Sequence, residues 1–191
     1  MAAAVVGMAT ASAIEPGDEA PGFTLKNTKG EEVSLSDYEG KLVVLEWFNY
    51  DCPFVKKHYH SGNLPKLQET YTGKDVVWLS INSSAEGKQG HLPASEMAAR
   101  CAKEGNKASA VLLDPSGKVG KSYGAKTTPH LYVITTEGKI AYMGGIDDKK
   151  DANPESIAGA TNYVAAALDS LLAGEEVEVK QAQPYGCGVK Y

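Results

Sequence analysis

The sequence has little of what binds nucleic acid and no stretch suited to crossing a membrane. Arg100 is the only arginine among 19 basic residues, and the formal net charge is −5. Nucleic-acid grooves usually need clustered basic groups, so the composition argues against a nucleic-acid partner. No apolar run approaches the roughly 20 residues of a transmembrane helix, so we do not expect a membrane-spanning protein. There are only three cysteines, an odd number, and a chain of 191 residues needs no disulfide framework in order to fold.

The overall composition is that of a folded globular protein. Hydrophobic residues make up 42% and charged residues 23%, which argues against global disorder. The length favours one domain, and no internal repeat or low-complexity linker divides it. We predict a leader over residues 1–13, a domain over residues 14–174 and a C-terminal arm over residues 175–191.

The leader resembles the end of a secretory signal. A short apolar run is followed by Ala11-Ser12-Ala13, which fits cleavage after Ala13, although the basic start of such a signal is missing. We therefore interpret it as a truncated signal, the alternative being a disordered alanine-rich leader. Export would place the domain in the periplasm or outside the cell, where disulfides persist.

Alternating strands and helices predict an α/β domain. The apolar runs at 41–48 and 76–81 are typical of strands buried on both faces of a sheet. Short paired strands at 23–35 and 130–143 predict two hairpins, whose antiparallel pairing makes the sheet mixed. A helical insertion is predicted over 95–104.

The last helix carries the clearest end signals. Asn153 is a predicted N-cap, Pro154 suits the first helical position, and Gly174 lies where a C-terminal glycine belongs. The spacing predicts one helix between these residues, with a single apolar face.

Cys52 lies just after a predicted buried strand and immediately before a helix. A thiolate there faces unpaired backbone N–H groups and the positive end of the helix dipole. Such a position can lower a cysteine pKa from about 8.5 to roughly 3.5–7.5. Pro53 fits the first turn, where its missing N–H has no helical partner. The alternative is that Cys52 is a small buried hydrophobic residue.

Three motifs in order carry a family resemblance. They are Trp47-Phe48 followed by Cys52-Pro53, then Tyr123-Gly124-Ala125 followed by Thr127-Thr128-Pro129, and finally Glu137-Gly138-Lys139. From about residue 15 to residue 172 the chain resembles a thioredoxin-fold redoxin of the alkyl hydroperoxide reductase/thiol-specific antioxidant superfamily. The resemblance implies a thioredoxin-like three-layer sandwich, with an N-terminal hairpin and a central helical insertion.

The resemblance also implies roles for individual residues. Cys52 matches the attacking cysteine, and Pro129 matches the cis-proline that packs beside it. The substrate is then expected to bind at Thr128, Pro129 and Pro53. Glu46 lies where thioredoxins carry a buried acid, whose pKa burial would raise so that it could pass protons to the leaving thiol. The alternatives are a trans turn proline at Pro129 and a solvent-facing carboxylate at Glu46.

The departures from the family are equally informative. Thioredoxins have a second cysteine where this chain has Val55, which excludes a local dithiol mechanism. Peroxiredoxins have a threonine in place of Asn49 and an activating arginine near Pro129, whereas Arg100 lies in the predicted insertion. These differences argue against the usual activation of peroxide.

A second thiol must complete a cycle that starts at Cys52. Cys187, flanked by glycines in the arm, is the first candidate, and the tail resembles that of a bacterial redoxin subgroup with Gly-Cys-x-Val-Lys-aromatic ends. Its alternative is an incidental cysteine in a disordered terminus. Cys101, on a predicted helix, is interpreted first as a packed structural thiol and second as a resolving one.

Three functions follow from these observations. The first is a thiol-disulfide oxidoreductase in which Cys187 or an external thiol resolves Cys52, acting on a protein or small-molecule disulfide. The second is an antioxidant thiol peroxidase in which Cys52 becomes a sulfenic acid. The third is a non-catalytic thioredoxin-fold module that binds a partner or copper. No cofactor is predicted, and His58 and His60 do not share a helical face with Cys52, which argues against a metal site.

Overall fold

The structure is a computed structural model that describes residues 13–191. The predicted leader lies outside the described residues except for Ala13. Within the described part, the strands are β1 (Thr24–Asn27), β2 (Glu32–Ser34), β3 (Val43–Trp47), β4 (Val77–Asn82), β5 (Ala110–Leu113), β6 (Thr127–Thr128), β7 (His130–Ile134), β8 (Ile140–Gly144) and β9 (Cys187–Gly188). The α-helices are α1 (Pro53–His60), α2 (Asn63–Thr72), α3 (Ala94–Lys103), α4 (Lys118–Ser122) and α5 (Tyr163–Leu172), and Leu35–Tyr38 and Pro154–Gly159 are 3-10 helices. None of the helices described is both long and apolar enough to cross a bilayer.

Seven strands form one mixed sheet in the order β2-β1-β5-β4-β3-β7-β8. The β3, β4 and β5 strands are parallel, whereas β1–β2 and β7–β8 are antiparallel hairpins. Both β3 and β4 are buried along their whole length, as their apolar runs predict. The predicted mixed sheet, the N-terminal hairpin and a helical segment between β4 and β5 are confirmed.

Alternate residues of β3 face opposite sides of the sheet. Leu45 and Trp47 pack into a cluster that includes residues of the N-terminal hairpin and α4, whereas Val44 packs into the cluster covered by α1, α2 and α5. Side chains alternate along a strand, so Glu46 lies on the same side as Val44. A carboxylate is thereby placed inside the helical layer.

The single long helix predicted between Asn153 and Gly174 is wrong. The first part is the 3-10 helix Pro154–Gly159, with Asn153 accepting the Glu155 amide as predicted, and Ala160 is extended. A second cap then starts α5, because the Asn162 side chain accepts the Ala165 amide at 2.9 Å. Two asparagine caps therefore divide the segment into two helices.

The arm over residues 175–191 returns along the sheet edge and crosses towards α4. The Ala182 amide donates to the Met143 carbonyl in β8 at 3.1 Å. Further on, β9 pairs with β6 in a separate two-stranded sheet. The Tyr191 hydroxyl then donates to the Ala125 carbonyl at 2.8 Å, so backbone and side-chain hydrogen bonds hold the arm from its middle to its last residue.

Candidate active site

Cys52 caps the N-terminus of α1 and has no exposed surface. Its carbonyl accepts the Lys56 amide at 2.9 Å, which makes Cys52 the first hydrogen-bonded residue of the helix. Pro53 occupies the first helical position and is exposed beside it. The thiol is therefore at the helix N-terminus, where the sequence predicts it.

Thr128 and Pro129 lie against Cys52. The peptide bond between them is cis, as the resemblance implied. The Cys52 thiol donates to the Thr128 carbonyl oxygen, with 3.1 Å between sulfur and oxygen. Thr128 ends β6 and Pro129 immediately precedes β7, so the end of the sheet meets the start of α1 at this point.

The C-terminal arm brings Cys187 to the same place. Cys187 pairs with Thr128, and Gly188 pairs with Thr127, in antiparallel register. The sequence separates Cys187 from Cys52 by most of the domain, and the pairing of β9 with β6 brings them together. The arm therefore occupies the strand edge where we expected a partner's backbone to dock.

Four hydrogen-bond donors set the ionisation of Cys52. Burial favours the neutral thiol, but the Cys187 thiol, the amides of Val55 and Cys187 and the Thr128 side chain together outweigh it. The pKa of Cys52 is consequently lowered from its ordinary value, because these groups favour the thiolate. Two of the four donors belong to Cys187, so the arm itself stabilises the anion.

Cys187 has the opposite tendency. Its burial, its hydrogen bond with Cys52 and the charge of Cys52 raise its pKa to about 11, against a smaller effect from Lys190. Cys187 thus keeps its proton at neutral pH and directs it towards the Cys52 sulfur. The two thiols differ in character, one favouring the thiolate and the other the thiol.

Comparison with known proteins places this site in a family. Residues 16–143 match the AhpC/TSA family. The chain belongs to this family. Its site therefore combines an AhpC/TSA fold with a cysteine-bearing C-terminal arm that lies beyond the matched residues.

Three similar proteins extend the comparison. "Thiol-disulfide oxidoreductase ResA" of Bacillus thuringiensis subsp. konkukian (strain 97-27) is 25% identical over 129 residues, 66% of this chain and 68% of ResA. A protein of Mycobacterium tuberculosis (strain ATCC 25618 / H37Rv), provisionally named a peroxiredoxin, is 42% identical over 160 residues, 83% of this chain and 95% of its own. A solved structure of an uncharacterized conserved protein from Geobacillus kaustophilus is 32% identical with a TM-score of 0.78, covering 97% and 98% of the two chains. The predicted thioredoxin-like sandwich is confirmed.

Asn49 lies at the position where peroxiredoxins carry a threonine. Its side chain connects the loop before Cys52 with the loop that contains Gln89. Its side-chain oxygen accepts the Asp51 amide at 2.9 Å, and its nitrogen donates to the Gln89 carbonyl at 3.2 Å. A β-carbon on Gly90 would overlap the Asn49 side chain. Asn49 therefore shapes the backbone that presents Cys52.

Arg100 lies nearer to the Cys52 loop than its place in the sequence suggests. Its guanidinium group lies 5.7 Å from the ring centre of Tyr50 and 3.5 Å from the Asp51 carboxylate. It also donates to Glu104 at 2.7 Å. Two carboxylates thus share the only guanidinium group of the chain.

Glu46 is fully buried and its carboxylate is surrounded by donors. Burial raises the pKa of Glu46, although the surrounding hydrogen bonds oppose this effect. The donors lie 2.7 to 3.1 Å away and belong to Tyr59, Gln68, Trp78 and Ser80. Among the described residues, these donors are the hydrogen-bond partners of Glu46, and neither Cys52 nor Cys187 is one of them. Its proton-transfer role stays a prediction.

Cys101 is buried on α3 and, like the other two cysteines, is a free thiol in this structure. Burial raises its pKa, and its thiol interacts with the Tyr50 hydroxyl. The surroundings of Cys101 match the packed structural thiol of the first interpretation.

Sequence reasoning missed the buried polar cluster that Tyr185, in the arm, forms with His58 and Asp147. The Tyr185 hydroxyl lies 3.0 Å from His58 Nε2 and donates to Asp147 Oδ1 at 2.5 Å. Tyr185 is two residues before Cys187, which is the only hint that the sequence offers.

The second histidine considered as a metal ligand, His60, pairs with Glu104. Within residues 13–191, no three His, Cys, Asp or Glu side chains cluster as metal ligands do.

Proposed function

We propose that this chain is a thiol-disulfide oxidoreductase in which Cys52 attacks and Cys187 resolves. The observation that carries the proposal is the antiparallel pairing of Cys187 with Thr128, whose carbonyl oxygen also binds the Cys52 thiol. The AhpC/TSA membership and the similarity to ResA support the same reaction class. The partner is a protein or small-molecule disulfide or thiol.

In the first step, the Cys52 thiolate attacks one sulfur of a partner disulfide. A bond forms between Cys52 and that sulfur, the partner's S–S bond breaks, and the second partner sulfur leaves as a thiolate that takes a proton from solvent. The lowered pKa of Cys52 supplies the anion that this step needs. The product is a mixed disulfide.

In the second step, Cys187 attacks the Cys52 sulfur of the mixed disulfide. Its raised pKa has three main causes, and two of them, the hydrogen bond and the charge of Cys52, disappear once Cys52 carries the partner. Lys190, which favours the Cys187 thiolate, remains. Cys187 loses its proton to solvent and bonds to Cys52, the bond between Cys52 and the partner sulfur breaks, and that sulfur leaves as a thiolate, which takes up a proton from solvent. The first step therefore activates the second.

The complete exchange moves two electrons from the protein dithiol to the partner disulfide. An external thiol reductant then returns the Cys52–Cys187 disulfide to the dithiol. Each step is reversible, so the same site oxidises a partner dithiol when the reduction potentials favour that direction.

Docking of a partner at Thr128 and Pro129 requires movement of the arm. The arm's own strand fills that edge, and Cys52 has no exposed surface beneath it. We infer that a partner's backbone replaces β9 on Thr128 during the first step, with exposed Pro53 at the entrance. The arm then returns with Cys187 for the second step.

We assign to Glu46 the role that the resemblance implied, which is to pass protons to the leaving thiol. Tyr59, on the same helix as Cys52, donates to Glu46 at 2.8 Å. The raised pKa of Glu46 favours the neutral form, whose proton passes by way of solvent to the leaving thiolate of the first step. The pH dependence of the Glu46→Gln variant measures this role.

The decisive experiment uses the reduced full chain with oxidised glutathione, followed by non-reducing peptide mapping. We expect a Cys52–Cys187 disulfide, with release of two equivalents of glutathione thiol for each chain oxidised. The Cys101→Ser variant is the matched control and should behave like the parent chain. Three free thiols after this treatment would contradict the proposal.

A thiol peroxidase is the second candidate, because the Mycobacterium tuberculosis relative is 42% identical and carries a peroxiredoxin name. Asn49 and the carboxylate-bound Arg100 argue against peroxide activation in this chain. Rapid consumption of hydrogen peroxide by the reduced chain, without reaction with oxidised glutathione, would reverse the order of the two candidates.

We also propose that the chain works in the periplasm or outside the cell, because the sequence of residues 1–13 resembles the end of a secretory signal. Separation of periplasmic and medium fractions from the cytoplasmic fraction tests this location. Recovery only from the cytoplasmic fraction would contradict it.

A further inference from the structure

A buried polar cluster joins the arm to the helix that carries Cys52. His58 belongs to α1, Asp147 follows β8, and Tyr185 lies in the arm two residues before Cys187. All three are at least 93% buried. The Tyr185 hydroxyl is the link, at 3.0 Å from His58 Nε2 and 2.5 Å from Asp147 Oδ1.

The hydrogen bonds of this cluster run in one direction. The side-chain nitrogen of Asn63 donates to His58 Nδ1 at 2.8 Å, which leaves the ring proton on Nε2. His58 Nε2 then donates to the Tyr185 oxygen, and the Tyr185 hydroxyl donates to Asp147. Burial lowers the pKa of His58 to about 3, consistent with this neutral ring. Each donor in the cluster is thus matched to an acceptor on the next residue.

The Tyr185 ring is held as well as its hydroxyl. Phe54 meets it edge-on with ring centres 5.9 Å apart, and Lys57 Nζ lies 5.8 Å from its centre. Both residues belong to α1. The side chain of Tyr185 therefore rests along the helix that Cys52 caps.

This arrangement fixes the last residues of the arm relative to Cys52. Only Gly186 separates Tyr185 from Cys187, so a displacement of Tyr185 passes directly to the thiol. Asp147 Oδ2 has no hydrogen-bond partner within the described residues, although it is buried. The carboxylate consequently depends on Oδ1, which accepts the Tyr185 hydroxyl and the Lys149 amide.

We propose that Tyr185 is a positioning residue, whose hydroxyl, held between His58 and Asp147, keeps the Cys187 thiol against Cys52. This inference rests on the proposed function and adds to it the group that selects Cys187 as the resolving cysteine. Without the hydroxyl, a buried imidazole N–H and a buried carboxylate lose their shared partner. Water satisfies them better when the arm moves away, and Cys187 moves with it.

The test compares Tyr185→Phe with Tyr163→Phe, a tyrosine on α5 outside the site. One measurement is the pKa of Cys52 in the reduced chain, followed by the ultraviolet absorbance of its thiolate. The other is the rate at which the glutathione-bound chain closes to the Cys52–Cys187 disulfide. For Tyr185→Phe we expect a raised Cys52 pKa and roughly tenfold slower closure, the effect of losing one hydrogen bond to a charged group. Tyr163→Phe should match the parent chain in both.

A second pair of variants separates positioning from general loss of structure. Asp147→Asn keeps an oxygen that accepts the Tyr185 hydroxyl, so it should retain most of the closure rate, whereas Asp147→Ala should resemble Tyr185→Phe. If Tyr185→Phe folds poorly, the difference in closure rate between Asp147→Asn and Asp147→Ala still tests the role of the Tyr185 hydroxyl. An unchanged Cys52 pKa and closure rate in Tyr185→Phe or in Asp147→Ala would overturn the proposal.

The two proposals fail in different ways. If the parent chain forms no Cys52–Cys187 disulfide, the proposed function fails, but the Cys52 pKa of the variants still reports whether the arm has moved. If the parent chain closes normally and the variants close equally fast, only the role of Tyr185 fails.

Discussion

Gly186 packs directly on the carbonyl group of Thr128, with no room for a side chain between them. A β-carbon at residue 186 would overlap the Thr128 oxygen, and the φ angle of +128° is one that residues with side chains rarely adopt. The glycine before Cys187 therefore allows the arm to approach the cis-proline loop. At Gly188, two residues further along the arm, an added β-carbon would come no nearer than 4.0 Å to the Lys126 oxygen, so that glycine is under no such restriction.

The first prediction is that Gly186→Ala releases the arm and exposes Cys52. Strain of about 1–2 kcal/mol from the positive φ, together with the overlap, should make alkylation of Cys52 by iodoacetamide roughly tenfold faster at pH 10, where the loss of the arm's hydrogen bonds no longer limits the amount of thiolate. Mass spectrometry of the alkylated peptide measures the rate. Gly188→Ala is the matched control and should react like the parent chain. Equal rates in both variants would mean that the arm does not cover Cys52 in solution.

The second prediction concerns the resolving thiol. In Cys187→Ser, a mixed disulfide between Cys52 and glutathione should accumulate, because no sulfur is placed to expel the glutathione. Intact-mass analysis without reductant detects the adduct. Cys101→Ser should instead proceed to the internal disulfide. Accumulation of the adduct in Cys101→Ser, with normal closure in Cys187→Ser, would transfer the resolving role to Cys101.

The third prediction is a pH dependence. Because the Cys187 thiol has the largest effect of the donors that favour the Cys52 thiolate, Cys187→Ala, which removes the thiol and keeps the amide, should raise the pKa of Cys52. A higher pKa leaves less thiolate at neutral pH, so attack on oxidised glutathione should slow there and recover as the pH rises. Rates measured from pH 5 to pH 10 locate the midpoint. A midpoint that stays in place would show that the Cys187 thiol has no effect on the ionisation of Cys52.

Local signals made much of this fold predictable. The apolar run at 41–48 contains β3, and a proline at the first helical position marks the start of α1. The break at Ala160 was missed because apolar spacing continues through it, whereas the cap that interrupts it depends on Asn162. Periodicity along a strand also leaves open which side Glu46 faces until the helices are in place.

The site was less predictable, because its contacts join distant parts of the chain. The position of Cys52 was predictable, because a strand pattern precedes it and a helix pattern follows it. The contact between Thr128 and Cys187 depends on the path of the whole arm, and Tyr185 is meaningful only once His58 and Asp147 lie beside it. No local pattern encodes such pairings.

The fourth prediction addresses the buried carboxylate. Glu46→Ala should lower the free energy of unfolding by at least about 3 kcal/mol, because several buried donors lose their acceptor at once. Ser80→Ala removes only one of these donors and should cost roughly 1 kcal/mol. Urea unfolding at pH 7 measures both. Equal losses in the two variants would show that the carboxylate is not the centre of this network.

The last prediction uses His130, which is buried beside Pro129 and has no hydrogen-bond partner for Nε2 within the described residues. Burial lowers its pKa to about 3 from an ordinary 6.5, so between these values the unfolded chain binds a proton that the folded chain refuses. Stability should therefore fall as the pH drops from 6.5 towards 3, by about 1.4 kcal/mol per pH unit for this histidine. His130→Gln should lose that part of the slope, whereas His91→Gln, in the loop before α3, should keep it. Buried carboxyl groups act in the opposite direction, but they are the same in all three chains, so the difference in slope isolates His130. Parallel slopes in the His130→Gln and parent chains would show that the ring is hydrated or charged when folded.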